Sequence, residues 1–252
     1  MRKKLEPGSQ IRLVSANSER MVVVDEVIGD GASCIAYDVH TPGVNGSPVR
    51  FRLKECYPFN AAIERDSQAL VWQDQAEYQQ AIGRFRRANQ ILADLHEEAS
   101  IGNSITKTEL YEANGTLYSL MEVNHAAVYS NDTGKHSLRE VIATALTLTK
   151  IINRLHRLGY LHLDIKPENF QVTYHPNISI WLFDVDSLTS IDELHTGTVS
   201  HVPYSQTWAA PEQLAAKISK IGPHTDLFAI GAILFSRVMG RNITSEDSGA
   251  FA

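Results

Sequence analysis

The chain has 252 residues, 43% of them hydrophobic, and a formal net charge of −6. That length buries a substantial core in one large domain or two lobes, and the acidic balance argues against a general nucleic-acid binder. No run of 18 apolar residues occurs, and Leu227 to Met239, the best candidate, is short and carries Arg237, so it reads as a buried core helix and no membrane span is expected. The N-terminal MRKKLEPGSQ has basic residues with no apolar run behind them, which is not a signal peptide. Two cysteines, Cys34 and Cys56, make no disulfide framework, so a reducing, cytoplasmic compartment is expected. The ten histidines lack HExxH spacing and CxxC companions, which argues against structural zinc.

Residues 1–20 read as an N-terminal extension. Met21 to Ile28 is β-branched and apolar, predicting a strand that enters a glycine turn at Gly29-Asp30-Gly31. Ile35 to His40 resumes the strand, residues 41–48 form a loop by composition, and Val49 to Lys54 alternates as a third strand. Residues 57–76 read as an insertion. Ala76 to Leu95 predicts a helix, with Ile82, Phe85, Ile91, Leu92 and Leu95 near helical spacing. Ile105 to Glu112 and Leu117 to Val123 flank Asn114-Gly115, a hairpin signal. Leu138 to Leu158 carries Val141, Ile142, Leu146, Leu148, Ile151, Ile152 and Leu155 and stops at Gly159, an amphipathic helix. A β-rich region, 21–123, thus gives way to an α-rich one, 124–252, and a cleft between them would suit a nucleotide.

The chemistry concentrates in His162-Leu163-Asp164-Ile165-Lys166-Pro167-Glu168-Asn169, which sets a base, a cation and a metal-binding amide in one loop. Phe183-Asp184-Val185-Asp186 follows with a carboxylate after an apolar run, and the glycine turn and Lys54 lie upstream. In that order the groups suit a nucleotide-phosphate site. HLDIKPEN resembles the HRDxKPxN loop of the protein kinase superfamily, Ala210-Pro211-Glu212 resembles its APE motif, and Asp226 with Gly231 in DLFAIGAILF resembles its central C-lobe helix. LKECYP and GYLHLDIKPEN are similar in style to the bacterial Ser/Thr kinases. The resemblance runs from about Met21 to Arg241.

The resemblance implies an α+β, bilobal kinase-like fold, a β-rich N-lobe with one main helix and an incomplete α-rich C-lobe. It implies ATP with Mg²⁺ (or Mn²⁺) as cofactors and γ-phosphate transfer to Ser or Thr hydroxyls of a protein substrate. Asp164 would receive the hydroxyl proton, Lys166 would neutralise the γ-phosphate, and Lys54 would pair with the α- and β-phosphates. Ile28, Gly29, Gly31 and Ala36 would cover the nucleotide. Met121 would be the gatekeeper, with Glu122 and Val123 at the adenine edge. Asn169 and Asp184 would ligate the metal through oxygen. Ser205 would sit on the substrate platform, bonded to the catalytic Asp and Lys.

Several positions depart from the family pattern. Cys34 replaces the third glycine and reads as a small filler residue. Arg52 replaces the small residue lining the adenine pocket; it either crowds that pocket or snorkels outward. Ala88 stands where the helix glutamate pairs with the lysine, leaving Glu77, Glu97, Glu98 and Asp184 as substitutes. Leu163 replaces an Arg, and Asp184-Val185-Asp186 replaces DFG. The C-lobe ends soon after Arg241, so a fragment of a longer polypeptide is expected, and Glu212 lacks the family's Arg partner. Ala88, Arg52 and the altered DFG keep open a pseudokinase that binds or scaffolds without transfer. A small-molecule phosphotransferase is disfavoured by the APE and Asp226 elements.

Overall fold

Six strands close on themselves in the first part of the chain. The computed structural model describes residues 2–42, 48–97, 107–122, 128–129, 137–173, 179–182, 187–199, 201–244 and 246–247. The chain divides into two units, residues 1–94 with 106–124, and residues 95–105 with 125–252.

In the first unit, β1 (Gln10–Val14), β2 (Glu19–Asp30), β3 (Cys34–Thr41) and β4 (Val49–Cys56) run antiparallel in sequence order. A hairpin of β5 (Ile63–Asp66) and β6 (Ala69–Trp72) precedes α1 (Gln75–Glu97), and β7 (Thr108–Ala113) and β8 (Thr116–Glu122) follow. The barrel closes in the order β1-β2-β3-β4-β8-β7. Alternation decides its interior. Ile11, Leu13, Val22, Val24, Ile35, Tyr37, Val39, Leu53 and Leu120 form one buried cluster. Each full burial of such a side chain contributes about 1.5–3 kcal/mol. β1 lies within the stretch read from sequence as an extension; its five residues alternate Gln-Ile-Arg-Leu-Val, and Ile11 and Leu13 complete the core.

The Asn114-Gly115 turn has φ +50° and +73°, as a tight hairpin between right-twisted strands requires. A Cβ at Gly115 would lie 2.5 Å from the Leu70 carbonyl oxygen. Here the β5–β6 hairpin docks: Leu70 N–H donates to Asn114 O at 2.8 Å, and Trp72 Nε1–H to Gly115 O at 3.1 Å. The segment read as an insertion is thus tied into the barrel. Asp74 Oδ1 caps α1, accepting from the N–H groups of Ala76 and Glu77. Ile82 and Phe85 of α1 pack with Leu117 and with Cys34 and Cys56, both buried thiols, so Cys34 is a packing residue.

The barrel also buries charge. Glu55 accepts from the hydroxyls of Tyr37, at 3.0 Å, and Tyr118, and from the guanidinium of Arg65. Both members of the Glu55–Arg65 pair have fully buried side chains. Arg65 spends its other donors on Lys3 O and Gln68 O, each at 2.7 Å. Burial disfavours the Arg65 charge, but the Glu55 carboxylate more than offsets it and raises its pKa. Burial first and then Glu55 hold Tyr118 and Tyr37 well above the ordinary tyrosine range.

The second unit is built on α2 (Leu138–Arg157), opened by a reciprocal Ser137–Glu140 capping box. Gly159 at φ +84° ends it, with Gly159 N–H bonded to His156 O at 3.0 Å. Val141, Thr144, Leu148, Ile151, Ile152 and Leu155 are buried, whereas Ile142 and Leu146, counted above in the apolar set, are exposed. The reason is the 3.6-residue period: Leu138, Ile142 and Leu146 run four apart along the adjacent face. Strand β9 (Val128–Tyr129) pairs with β11 (Phe170–Thr173), which pairs with β12 (Ser179–Leu182). β10 (Tyr160–Leu161) pairs with β13 (Thr189–Ser190), followed by α3 (Ile191–His195), α4 (Pro211–Leu214) and α5 (Pro223–Met239). α5 buries one face through Ala229, Ile230, Ala232 and Ile233, while Leu227, Val238 and Met239 are exposed. No described helix is long and apolar enough to cross a membrane.

Candidate active site

On the barrel, strand register decides which candidate residues share a face. Gly29 pairs with Ala36, Ala36 with Lys54, and Lys54 with Ser119, one row across four strands. Directly paired residues point to the same side. Ala36, Lys54 and Ser119 therefore share the outer face, and Lys54 is only 6% exposed. Its neighbour Glu55 points into the barrel. Gly29 would place a Cβ 3.5 Å from the Ala36 Cβ, so the glycine keeps that row low. Ile28 is exposed one residue before it.

The next row on this face is Asp38, Arg52 and Met121. Met121 is buried, and Glu122, opposite Phe51, is exposed. Val123 lies outside the described residues. Arg52 is nearly buried, with its Nε 3.8 Å from Asp38 Oδ1 on the adjoining strand. On α1, Ala88 is buried between Phe85 and Leu92, and the buried positions Ile82, Phe85, Ala88, Asn89, Ile91 and Leu92 include no carboxylate. Glu77 accepts the Ala62 N–H at 3.1 Å. Glu98 and the whole of residues 183–186, Asp184 included, lie outside the described residues.

The second unit holds the loop after β10. Lys166 Nζ bridges Asp164 Oδ2 at 2.8 Å and Ser205 Oγ at 2.9 Å. Asn169 sits at the end of the 3-10 turn Pro167–Asn169 and donates from Nδ2 to Asp164 O at 2.8 Å. That bond fixes the amide's orientation. Asp164 Oδ1 is buried and accepts no hydrogen bond from the described residues. A buried carboxylate oxygen left bare is costly unless a donor or cation meets it during function. Asp164, Lys166, Asn169 and Ser205 thus come together in one hydrogen-bonded cluster.

The loop is held from below by Asp226 of α5. Its carboxylate accepts from His162 N at 2.9 Å, Leu163 N at 2.7 Å and His156 Nε2 at 2.8 Å. Leu163 takes φ +62°, a left-handed conformation that costs a leucine roughly 1–2 kcal/mol. Buried in a cluster with Leu161, Leu194, Val202 and Ile221, its side chain helps to offset that strain. Gln213 of α4 donates to Leu163 O at 2.8 Å and accepts from Ala210 N at 3.0 Å. Glu212 has local partners: Thr225 Oγ1 donates to its Oε1 at 2.6 Å, with His224 Nε2 3.4 Å away. Gln213, Thr225 and His156 carried no sequence signal. Asp226 did, through its helix motif, though not its grip on the loop.

Residues 72–251 match the family model described as the protein kinase domain, and the chain belongs to that family. The match spans the 162–169 loop and Ser205 but begins after the glycine turn and Lys54. A probable serine/threonine-protein kinase of Clostridium acetobutylicum is 24% identical over 218 residues, 86% of this chain and 30% of its own length. The serine/threonine-protein kinase PknK of Mycobacterium tuberculosis is 23% identical over 248 residues, 98% of this chain and 20% of its own length. This chain therefore spans less than a third of either relative. Among solved structures, PpkA-294 in its apo form aligns with TM-score 0.63 and 20% identity, covering 98% of this chain and 83% of that one. The Mycobacterium tuberculosis PknI kinase domain aligns with TM-score 0.58 and 20% identity, covering 96% and 81%. These likenesses establish the α+β protein-kinase-like fold. The family generally uses ATP and Mg²⁺ and acts on proteins.

Proposed function

We propose that this chain is an ATP-dependent protein kinase that phosphorylates Ser or Thr. The observation that carries the reading is the Lys166 bridge between Asp164 and Ser205, beside an Asp164 Oδ1 that no described residue meets. In this reading the substrate hydroxyl gives its proton to that oxygen as its own oxygen bonds the γ-phosphorus. The bond from the γ-phosphorus to the β–γ bridging oxygen breaks, and ADP leaves. Lys166 Nζ balances the negative charge spread over the transferring group. Positioning does most of the catalytic work in such a transfer. Ser205 keeps Lys166 turned toward Asp164, which supports the platform role.

Mg²⁺ (or Mn²⁺) fits the donor set, because Asn169 carries an amide oxygen beside the Asp164 loop and a hard cation prefers oxygen. Asn169 and Asp184 would hold it, and it would supply charge neutralisation on the phosphates. The Gly29–Ala36–Lys54 row supports the nucleotide assignment: a low surface and a nearly buried cation on one face. Ile28, Gly31, Met121, Glu122 and Val123 belong to the same proposal, as does a cytoplasmic setting argued from two unbridged thiols.

One observation favours a pseudokinase instead: α1 buries Ala88 where the family pattern has a carboxylate. The deciding experiment is γ-phosphate transfer from labelled ATP with Mg²⁺ or Mn²⁺, to the chain itself and to a generic basic protein, with Asp164→Asn as control. Transfer that falls by at least about a hundredfold in the control supports catalysis. ATP binding with no transfer selects the pseudokinase.

A further inference from the structure

The tip of the glycine turn, residues 30–33, is exposed, so apolar packing does not hold it. It also borders an open cleft of about 480 Å³ lined by Arg2, Asp30, Gly31, Tyr57, Phe59 and Ile63. Polar ties hold it instead. Tyr57 N–H donates to Ser33 O at 3.2 Å and Phe59 N–H to Ala32 O at 2.9 Å. From the other side Arg2 donates to Asp30 Oδ1 and Gly31 O, and Lys4 Nζ meets Asp30 Oδ2 at 2.9 Å.

The segment that carries these cations is itself anchored. Leu5 is buried in the barrel core, and its N–H donates to Tyr37 Oη at 3.3 Å. Lys3 O accepts from buried Arg65. Residues 2–5 therefore alternate: Lys3 and Leu5 grip the barrel, while Arg2 and Lys4 reach the turn. Arg2 also donates to Tyr57 O and stacks 5.5 Å from the Tyr57 ring, joining both sets of ties.

We infer that Arg2 and Lys4 are positioning residues, a strap that holds the glycine turn in the conformation that meets the nucleotide phosphates. The inference rests on the nucleotide reading of that turn. A turn ordered before binding loses less entropy when ligand arrives, so removing the strap weakens binding rather than abolishing it.

The test compares the 252-residue chain with Arg2→Ala/Lys4→Ala and with Asp30→Asn, which removes the tie from the turn's own side. Arg12→Ala, which breaks an exposed ion pair with Glu19 on the same barrel, is the control. Amide hydrogen exchange across residues 29–34 and the Kd for Mg-ATP by calorimetry are read on each. Expected is exchange faster by about tenfold at the turn in both strap variants, with Kd raised about fivefold and kcat changed less than Kd. Arg2→Lys/Lys4→Arg should restore both. Unchanged exchange at 29–34 overturns the strap. Faster exchange with unchanged Kd overturns its positioning role and leaves a structural tie. A wild-type chain that binds no Mg-ATP refutes the nucleotide reading instead, and the exchange result then decides the strap alone.

Discussion

Asp226→Asn tests how the 162–169 loop is held. The carboxylate receives three donors at 2.7–2.9 Å, and Asp226 is 1% exposed. An asparagine retains one acceptor oxygen and turns a donor toward the remaining N–H groups. If its carbonyl stays on Leu163 N, the His162 N–H loses its acceptor inside the core. Bonds to a charged acceptor contribute about 1.5–3 kcal/mol each, and a stranded buried donor costs about 1–3 kcal/mol. The expected loss is therefore about 3–5 kcal/mol. His162 then lacks the tie that fixes the backbone just before left-handed Leu163, and Asp164, two residues on, loses its fixed direction. Urea denaturation reads the stability, and amide exchange at residues 160–166 reads the loop. Phosphate transfer, if the chain is active, should fall at least about tenfold. A loss below about 1 kcal/mol, with unchanged exchange at His162, would refute the reasoning.

Two further predictions concern the buried polar cluster of the barrel. Arg65→Met strands the fully buried Glu55 with only its tyrosine partners and should cost about 3–5 kcal/mol by denaturation. The Glu55→Gln/Arg65→Met double variant should cost less than the sum of the two singles, and strict additivity would show that the pair is not coupled. Tyr37 and Tyr118 have pKa values raised above their ordinary 10.0, so the fold prefers their neutral forms. Their contribution is complete below pH 10.0 and is lost as pH rises toward the folded-state values. Stability should therefore fall with pH above that point, and Tyr118→Phe should flatten the slope. Tyrosinate absorbance from both residues before unfolding would contradict this.

Short-range patterns in the sequence determined much of this protein. Asn114-Gly115 specifies a hairpin because both residues tolerate positive φ, and Gly159 ends α2 for the same reason. Asp164, Lys166 and Asn169 lie close together in the chain, so a single tight loop sufficed to group them. Tertiary packing alone decided what grips that loop. Asp226 lies 63 and 64 residues beyond the backbone groups it accepts from, and Ser205 is 39 residues from Lys166. No local periodicity encodes such closures; they follow once α5 and α4 have packed. The inward turn of Glu55 and Arg65 was equally hidden, because charged residues in a sequence ordinarily mark a solvated surface. Only closing β1 onto β2 and β7, and docking the β5–β6 hairpin on Gly115, gives that pair a dry interior to share with the two tyrosines.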